Sequence, residues 1–498
     1  MRRAAGTLLH LTSLPCRFGI GDLGPAALAF LDWAAAAGQS VWQVLPVNPP
    51  ALANCPYAAL SSHAGNPLLI SPARLVEEEL LPAAHLASAP PFAEDYVAFE
   101  PVAAWKTDLL RTSFAIFRTR PRAPLRQAYE AFLADEAIRP WLDDWALFAA
   151  LRARFGGRPW TRWEAAAKAR EQAALAAARR ELAEELDFQR FLQFLFFRQW
   201  DALHQKARQR GIALMGDLPI YVAHDSADVW TRPDLFALDE RGEPTVVAGV
   251  PPDYFSPTGQ RWGNPLYRWE RHAAEGFAWW LGRLRAAFRL VDIVRLDHFR
   301  GFAACWEIPS SEPTAVHGRW VEGPGDAFFA AVRSTLGEVP IVAENLGVIT
   351  PDVEALRQRW GLPGMKVLQF AFGEPASPHL PHAHTPDTVV YTGTHDNATA
   401  AGWYESASAE ERARFLDYTG SDGAEPAWDL IRAAYTSVAV LAVVPLQDVV
   451  GLGNEARMNT PGVAAGNWRW RASRQHMNST TAARLRRLAE VSGRLPSP

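Results

Sequence analysis

The chain has 498 residues, 49% hydrophobic and 21% charged, with a formal net charge of −4. That is enough apolar material for one large or two medium globular domains, and it excludes a disordered or collagen-like chain. Without a broad basic field, neither nucleic acid nor an anionic membrane is expected as the main partner, and the substrate is not expected to be a polyanion.

The opening "MRRAAGTLLHLTSLPC" has the outline of a signal peptide, but His10, Thr12 and Ser13 break its apolar part and no small-residue cleavage site follows. It reads instead as the first of a series of short apolar runs. These are "TLLHL" (7–11), "VWQVL" (41–45), "IALMGDL" (212–218), "LVDIV" (290–294), "PIVAEN" (340–345), "MKVLQF" (365–370), "TVVYTGTH" (388–395) and "VAVLAVV" (438–444). Continuously apolar strands alternating with helical stretches predict a parallel sheet covered on both faces, and eight of them fit a (β/α)8 TIM barrel extending over 1–498. The longest apolar run, 438–446, is half the length a membrane span needs.

Two gaps between the strands are too long for a bare barrel. Residues 71–205, between the second and third strands, are predicted as an inserted helical subdomain. Its last part, "EAAAKAREQAALAAARRELAEELDFQRFLQFLFFRQWDAL" (164–203), combines helix formers with an amphipathic close. Residues 221–285, between the third and fourth strands, are predicted as a loop-rich insertion. The segment 241–269 is full of Pro, Gly and aromatics and lacks periodicity, as functional loops often do. Twenty tryptophans supply flat faces that can fill a core or stack on sugar rings. Cys16, Cys55 and Cys305 are too few and too scattered for a disulfide framework, and predict reduced thiols in a cytoplasmic protein.

In such a barrel the chemistry belongs at the C-terminal ends of the strands. There the third strand carries Asp217, the fourth Asp297, the fifth Glu344, and the seventh His395 and Asp396. One acid at a strand end is ordinarily a loop cap, but four converging carboxylates are costly unless something uses their repulsion. Like charges raise the pKa of one member and leave another ionised, which separates an acid from a nucleophile. Glycosidic bond cleavage needs that pair, about 5–5.5 Å apart when configuration is retained. Arg295 lies two residues before Asp297, on the same strand face, and its charge is expected to keep Asp297 ionised.

Two weaker motifs are present. "GIGDLG" (19–24) fits G-x-G-x-x-G, but seven residues separate it from its strand and the next strand end bears no acid, so NAD binding is not expected. "HLPHAH" (379–384) offers His379, His382 and His384, but in a Pro-rich loop without Cys or acid spacing, so a solvated loop is expected rather than a metal site.

The motifs "SLPCRFGIGDLG", "GDLPIYVAHDSADVW", "GVPPDYFSPTGQRWGNPLY", "RLDHFRGF", "VAENLG", "YTGTHDN", "RMNTPG" and "NWRWR" resemble those of the 4-α-glucanotransferases, glycoside hydrolase family 77 of the α-amylase clan. The resemblance extends over nearly the whole chain. It implies Asp297 as nucleophile, Glu344 as general acid and then base, and Asp396 as the group that holds the distorted sugar. It also implies substrate contacts from Arg295, His395, Asp217, Tyr57 and Asn467, and a lid over the acceptor side carrying Tyr254, Gln260 and Trp262. Neither metal nor cofactor is implied. The implied partners are maltooligosaccharides, other 1,4-α-glucans from starch or glycogen, and glucose as acceptor. Ala398 stands where the family pattern has an acid, Cys305 where it has an aromatic, and "NCPYAAL" (54–60) departs from a Ser-Pro-Tyr pattern while keeping Pro56 and Tyr57.

Disproportionation of 1,4-α-glucans is therefore the leading expectation. An α-glucan hydrolase on the same scaffold shares its first step and differs only in acceptor. A silent glucan-binding protein would lack one of the catalytic acids, and both are present.

Overall fold

The computed structural model describes residues 2–120, 122–252 and 256–496. Eight strands form one parallel sheet: β1 (Ala4–Leu8), β2 (Val41–Gln43), β3 (Ala213–Leu218), β4 (Ile293–Leu296), β5 (Ile341–Ala343), β6 (Gly364–Val367), β7 (Thr388–Tyr391) and β8 (Leu441–Pro445). Their order is β6-β7-β8-β1-β2-β3-β4-β5, and the N–H of Ala343 donates to Pro363 O at 2.8 Å, drawing β5 towards β6 and nearly closing a (β/α)8 barrel.

Period-two alternation divides each strand between two cores. Val41, Met215, Ile293, Val342, Met365, Val389 and Leu441 share one buried cluster, the barrel interior. Trp42, Leu214, Val294, Ala343, Val390 and Ala442, one residue out of step, pack outward against the helices. This parity aims the chemistry. Asp217 is in step with Met215, Arg295 and Asp297 with Ile293, and Glu344 with Val342, so each polar side chain continues an inward row just where its strand meets the rim.

Each of the eight expected runs overlaps a strand, some with shifted bounds. The first strand begins at Ala4 and ends at Leu8, before a 3₁₀ turn over Leu11–Ser13. The seventh ends at Tyr391, which puts His395 and Asp396 on the loop beyond it.

Between β2 and β3 the chain is helical, with long helices over Phe99–Thr119, Ala123–Ala134, Arg139–Arg154 and Ala183–Gln209. The last buries Phe191 and Phe194 among Phe117 and Tyr129, with ring centroids 4.8–6.5 Å apart, and Trp200 Nε1 donates to Leu290 O at 2.8 Å. One helix thus anchors the insertion to the barrel. Most of the aromatic excess is core: of twenty tryptophans only Trp262 and Trp320 are exposed.

The stretch 241–269, expected as loop, carries two strands, Val246–Val250 and Gln260–Pro265. They join Ala304–Pro309 and Arg319–Glu322 in a four-stranded antiparallel sheet beside the barrel mouth. Its Pro and Gly content hides the alternation, and half of its hydrogen-bonding partners come from beyond β4. No helix among the described residues is long and apolar enough to cross a membrane.

Candidate active site

Backbone pairing continues past the ends of β3, β4 and β5. Asp297 N–H donates to Leu218 O and Glu344 N–H to Leu296 O, each at 3.0 Å, which holds the two acids on adjacent strand ends. Arg295 is buried between them and its neighbours. Its Nη1 donates to both oxygens of Asp217 at 2.8 Å and to Asp297 Oδ1 at 2.7 Å, while Nε meets Met365 Sδ at 3.3 Å. Burial opposes the Arg295 charge, but Asp217 and Asp297 outweigh it and hold the guanidinium's pKa well above its usual value. For Asp217, burial wins against Arg295 and pushes the carboxyl up.

Glu344 is the differently placed acid. Its Oε2 accepts the N–H of His298 at 2.7 Å and its Oε1 the N–H of Leu346 at 2.8 Å. Burial and the charge of Asp297 nevertheless push it up to about 7, against the pull of Arg295 and these two donors. A carboxyl near that value can both give and take a proton at neutral pH.

A hydrogen-bonded chain extends from the Arg295–Asp217 pair across the barrel. Tyr57 Oη donates to Asp217 Oδ2 at 2.7 Å and meets His395 Nδ1 at 3.2 Å, with the Tyr57 and His395 rings stacked 4.8 Å apart. His395 Nε2 lies 3.3 Å from Asp396 Oδ2. Although burial opposes both charges, the pair raises the His395 pKa and holds Asp396 down to about 2.

Several contributors were not read from the sequence. Asn459 Nδ2 donates to Asp396 Oδ1 and Arg457 Nη2 to Asp396 O, each at 2.6 Å. Trp468 packs behind both Tyr57 and His395, at 5.8 and 5.9 Å. All three lie within "RMNTPG" and "NWRWR", so the motifs themselves were the available signal. His298 also belongs here, and Trp262 meets its ring edge-on at 4.8 Å. Trp262 Nε1 donates to Gln260 Oε1 at 3.1 Å, so two of the three expected lid residues stand together beside His298.

Asn467 behaves differently: its amide is spent on Thr460 and Val463 of its own loop, shaping the segment that carries Arg457 and Asn459. Tyr254 lies outside the described residues. Arg300 turns away from the cleft. Its Nη1 donates to Val348 O at 2.6 Å and its guanidinium lies 3.8 Å over the Trp320 ring, tying the loop after β5 to the small sheet.

The motifs set aside have structural uses. In "GIGDLG", a Cβ on Gly21 would come within 1.8 Å of Leu11 O, so that glycine serves a close backbone approach. His379 Nδ1 accepts from Val367 N–H, His382 bonds Tyr418, and His384 joins Ser437 to His379 O. Among the described residues no group of three His, Cys, Asp or Glu is placed to hold a metal.

The chain is similar to known proteins over nearly its whole length. The family model for 4-alpha-glucanotransferase matches residues 9–477. A 4-alpha-glucanotransferase of Thermus thermophilus is 50% identical over 99% of both chains, and one of Synechocystis sp. is 49% identical over 99% of this chain and 98% of its own. An amylomaltase from Streptococcus agalactiae, solved in complex with acarbose, superposes with a TM-score of 0.96 at 34% identity, covering 99% of this chain and all of that one.

Proposed function

The chain belongs to the 4-alpha-glucanotransferase family, and from that premise we propose that Asp297 and Glu344 carry out a two-step, retaining transfer of a glucan segment. The activity is 4-alpha-glucanotransfer. In the first step a carboxylate oxygen of Asp297 bonds to the anomeric carbon, the glycosidic C–O bond breaks, and Glu344 gives its proton to the departing 4-oxygen. In the second, Glu344 takes the proton of an acceptor's 4-hydroxyl, and that oxygen displaces Asp297 from the anomeric carbon.

The observation that carries the assignment is the placement of Asp297 and Glu344 on adjacent strand ends, the first bonded to Arg295 and the second pushed up to about 7 by burial. Arg295 fixes the orientation of Asp297, and Asp396, held ionised by His395 and Asn459, faces the positive charge that develops on the sugar ring. Asp217, Tyr57 and His395 complete the wall of the same subsite. Gln260 and Trp262 cover the acceptor side. Covering matters because the ester is open to water and to sugar hydroxyls alike, and only exclusion of water favours the sugar.

The substrates are 1,4-α-glucans. Maltooligosaccharides as donors and glucose or a second oligosaccharide as acceptor are the finer reading, consistent with the acarbose bound by the streptococcal relative. A cytoplasmic location belongs to the same proposal and rests on three cysteines, all of them free thiols. Hydrolysis on the same scaffold is not favoured, because the relatives are transferases by name.

Incubation with maltotriose distinguishes the two. Glucose should appear beside longer oligosaccharides while total reducing ends stay constant. A rise in reducing ends in step with cleavage would make water the acceptor and overturn the transferase reading.

A further inference from the structure

His298 lies between the acceptor-side sheet and the acid, and the two-step reaction gives it no task. It follows Asp297 in a left-handed conformation, φ 50° and ψ 51°, which a residue with a Cβ keeps only when its surroundings impose it. That conformation aims its N–H at Glu344 Oε2, 2.7 Å away. The ring is held differently. Neither nitrogen hydrogen-bonds to protein among the described residues, and Nε2 is buried without a partner. Burial pushes the His298 pKa down to about 4, so the ring is neutral and no ion pair anchors it.

Among the described residues, packing alone therefore fixes the ring. Trp262 meets it edge-on at 4.8 Å, Tyr221 lies 6.3 Å away, and Gly301 leaves room beneath: a Cβ there would come within 3.4 Å of His298 Cδ2 and 2.6 Å of Ile220 Cδ1. Trp262 is exposed and stands on an edge strand of the small sheet.

We propose that His298 is a positioning residue that couples the acceptor-side strand to the acid: Trp262 sets the ring, the ring sets the backbone, and the backbone N–H sets Glu344. This rests on the reading of Glu344 as acid and base. An N–H donated to a carboxylate favours its charged form. When an acceptor sugar displaces Trp262, the ring loses its support, the N–H turns from Oε2, and Glu344 binds a proton more strongly. That change comes at the step in which Glu344 takes the acceptor's proton, and water, too small to move an indole, does not produce it.

The test is the pH dependence of kcat in maltotriose disproportionation at saturating substrate, for Trp262→Ala, His298→Ala and both together. Each single variant should move the basic limb upward by about 0.5 pH unit, the scale of one weakened N–H bond to a carboxylate. The double variant should move it no further than His298→Ala alone. Asn tolerates the left-handed backbone without the ring, so in a His298→Asn background, which also serves if His298→Ala does not fold, Trp262→Ala should leave the limb in place. An unmoved limb in Trp262→Ala, or shifts that add, overturns the coupling. Asp297→Asn separates the two levels: transfer surviving in that variant would sink the mechanism beneath, whereas an inert Asp297→Asn with additive shifts sinks only the coupling.

Discussion

Asp292 and Asp297 stand at opposite ends of the same strand, β4, and are treated in opposite ways. At the lower end, Asp292 Oδ1 accepts Arg208 Nη2 at 2.7 Å and Oδ2 accepts His204 Nε2 at 2.8 Å and the N–H of Leu214 at 2.9 Å. Against partial burial, these donors hold its pKa down to about 2. At the upper end, Asp297 shares one nitrogen of Arg295 with Asp217, and its neighbour Glu344 sits at about 7. The lower cluster saturates its carboxylate and ties the Ala183–Gln209 helix to the strands. In the upper cluster one Arg295 nitrogen serves two carboxyls, and burial of Glu344 near Asp297 outweighs its two backbone donors, which costs stability and leaves a proton to move.

That contrast can be broken from either end. The largest effect is expected from Asp297→Asn, which should lower transfer at least about 10³-fold, the scale of losing a covalent nucleophile, while the unfolding midpoint stays near wild type. Glu344→Gln should lower kcat/KM by about 10²–10⁴-fold and erase the basic limb near pH 7 seen in the wild type. It should also gain stability. A carboxyl whose pKa is raised on folding opposes the folded state increasingly as pH rises through the folded value, so at pH 8 the variant should resist denaturant by about 1–3 kcal/mol more than wild type.

Asp292→Ala should do the reverse. It removes the shared partner of His204 and Arg208 and should destabilise by about 2–4 kcal/mol at pH 7, with kcat/KM of the folded enzyme within about 2-fold of wild type. Because the Asp292 pKa is depressed on folding, its contribution is present above about 4 and is lost as pH falls towards about 2. Denaturation curves of wild type and variant should converge over that range. The smallest effect is expected from Tyr57→Phe, which breaks the link between Asp217 and His395 and should lower kcat/KM by about 10-fold. An equal loss of kcat/KM in Asp292→Ala and Tyr57→Phe would remove the distinction between the two ends.

Much of this was legible in the sequence where the signal is local. An apolar run ending in an acid, such as "LVDIVRLD", states both a buried strand and the face its last side chain takes. Arg295 and Asp297 are in step with Ile293 because alternation operates from one residue to the next. The small sheet was not legible: Val246–Val250 pairs with Ala304–Pro309, on the far side of β4, and no window on either segment contains its partner. Arg300 and Asn467 carry side chains of the expected kind for a sugar site, yet one ties a loop to the small sheet and the other shapes its own loop.

By itself, then, the sequence determined which segments form the barrel and which acids stand at or near its rim, because both follow from spacing along the chain; the expected reaction class came from the resemblance of its motifs to a known family. Only the tertiary structure decided how charge and protons are distributed among those acids. Tyr57 and His395 meet across 338 residues, and Asp217 and Arg295 across 78. The pKa of a buried carboxyl depends first on how far it is taken out of water and then on which charges and donors face it, and both are set only once the strands are side by side.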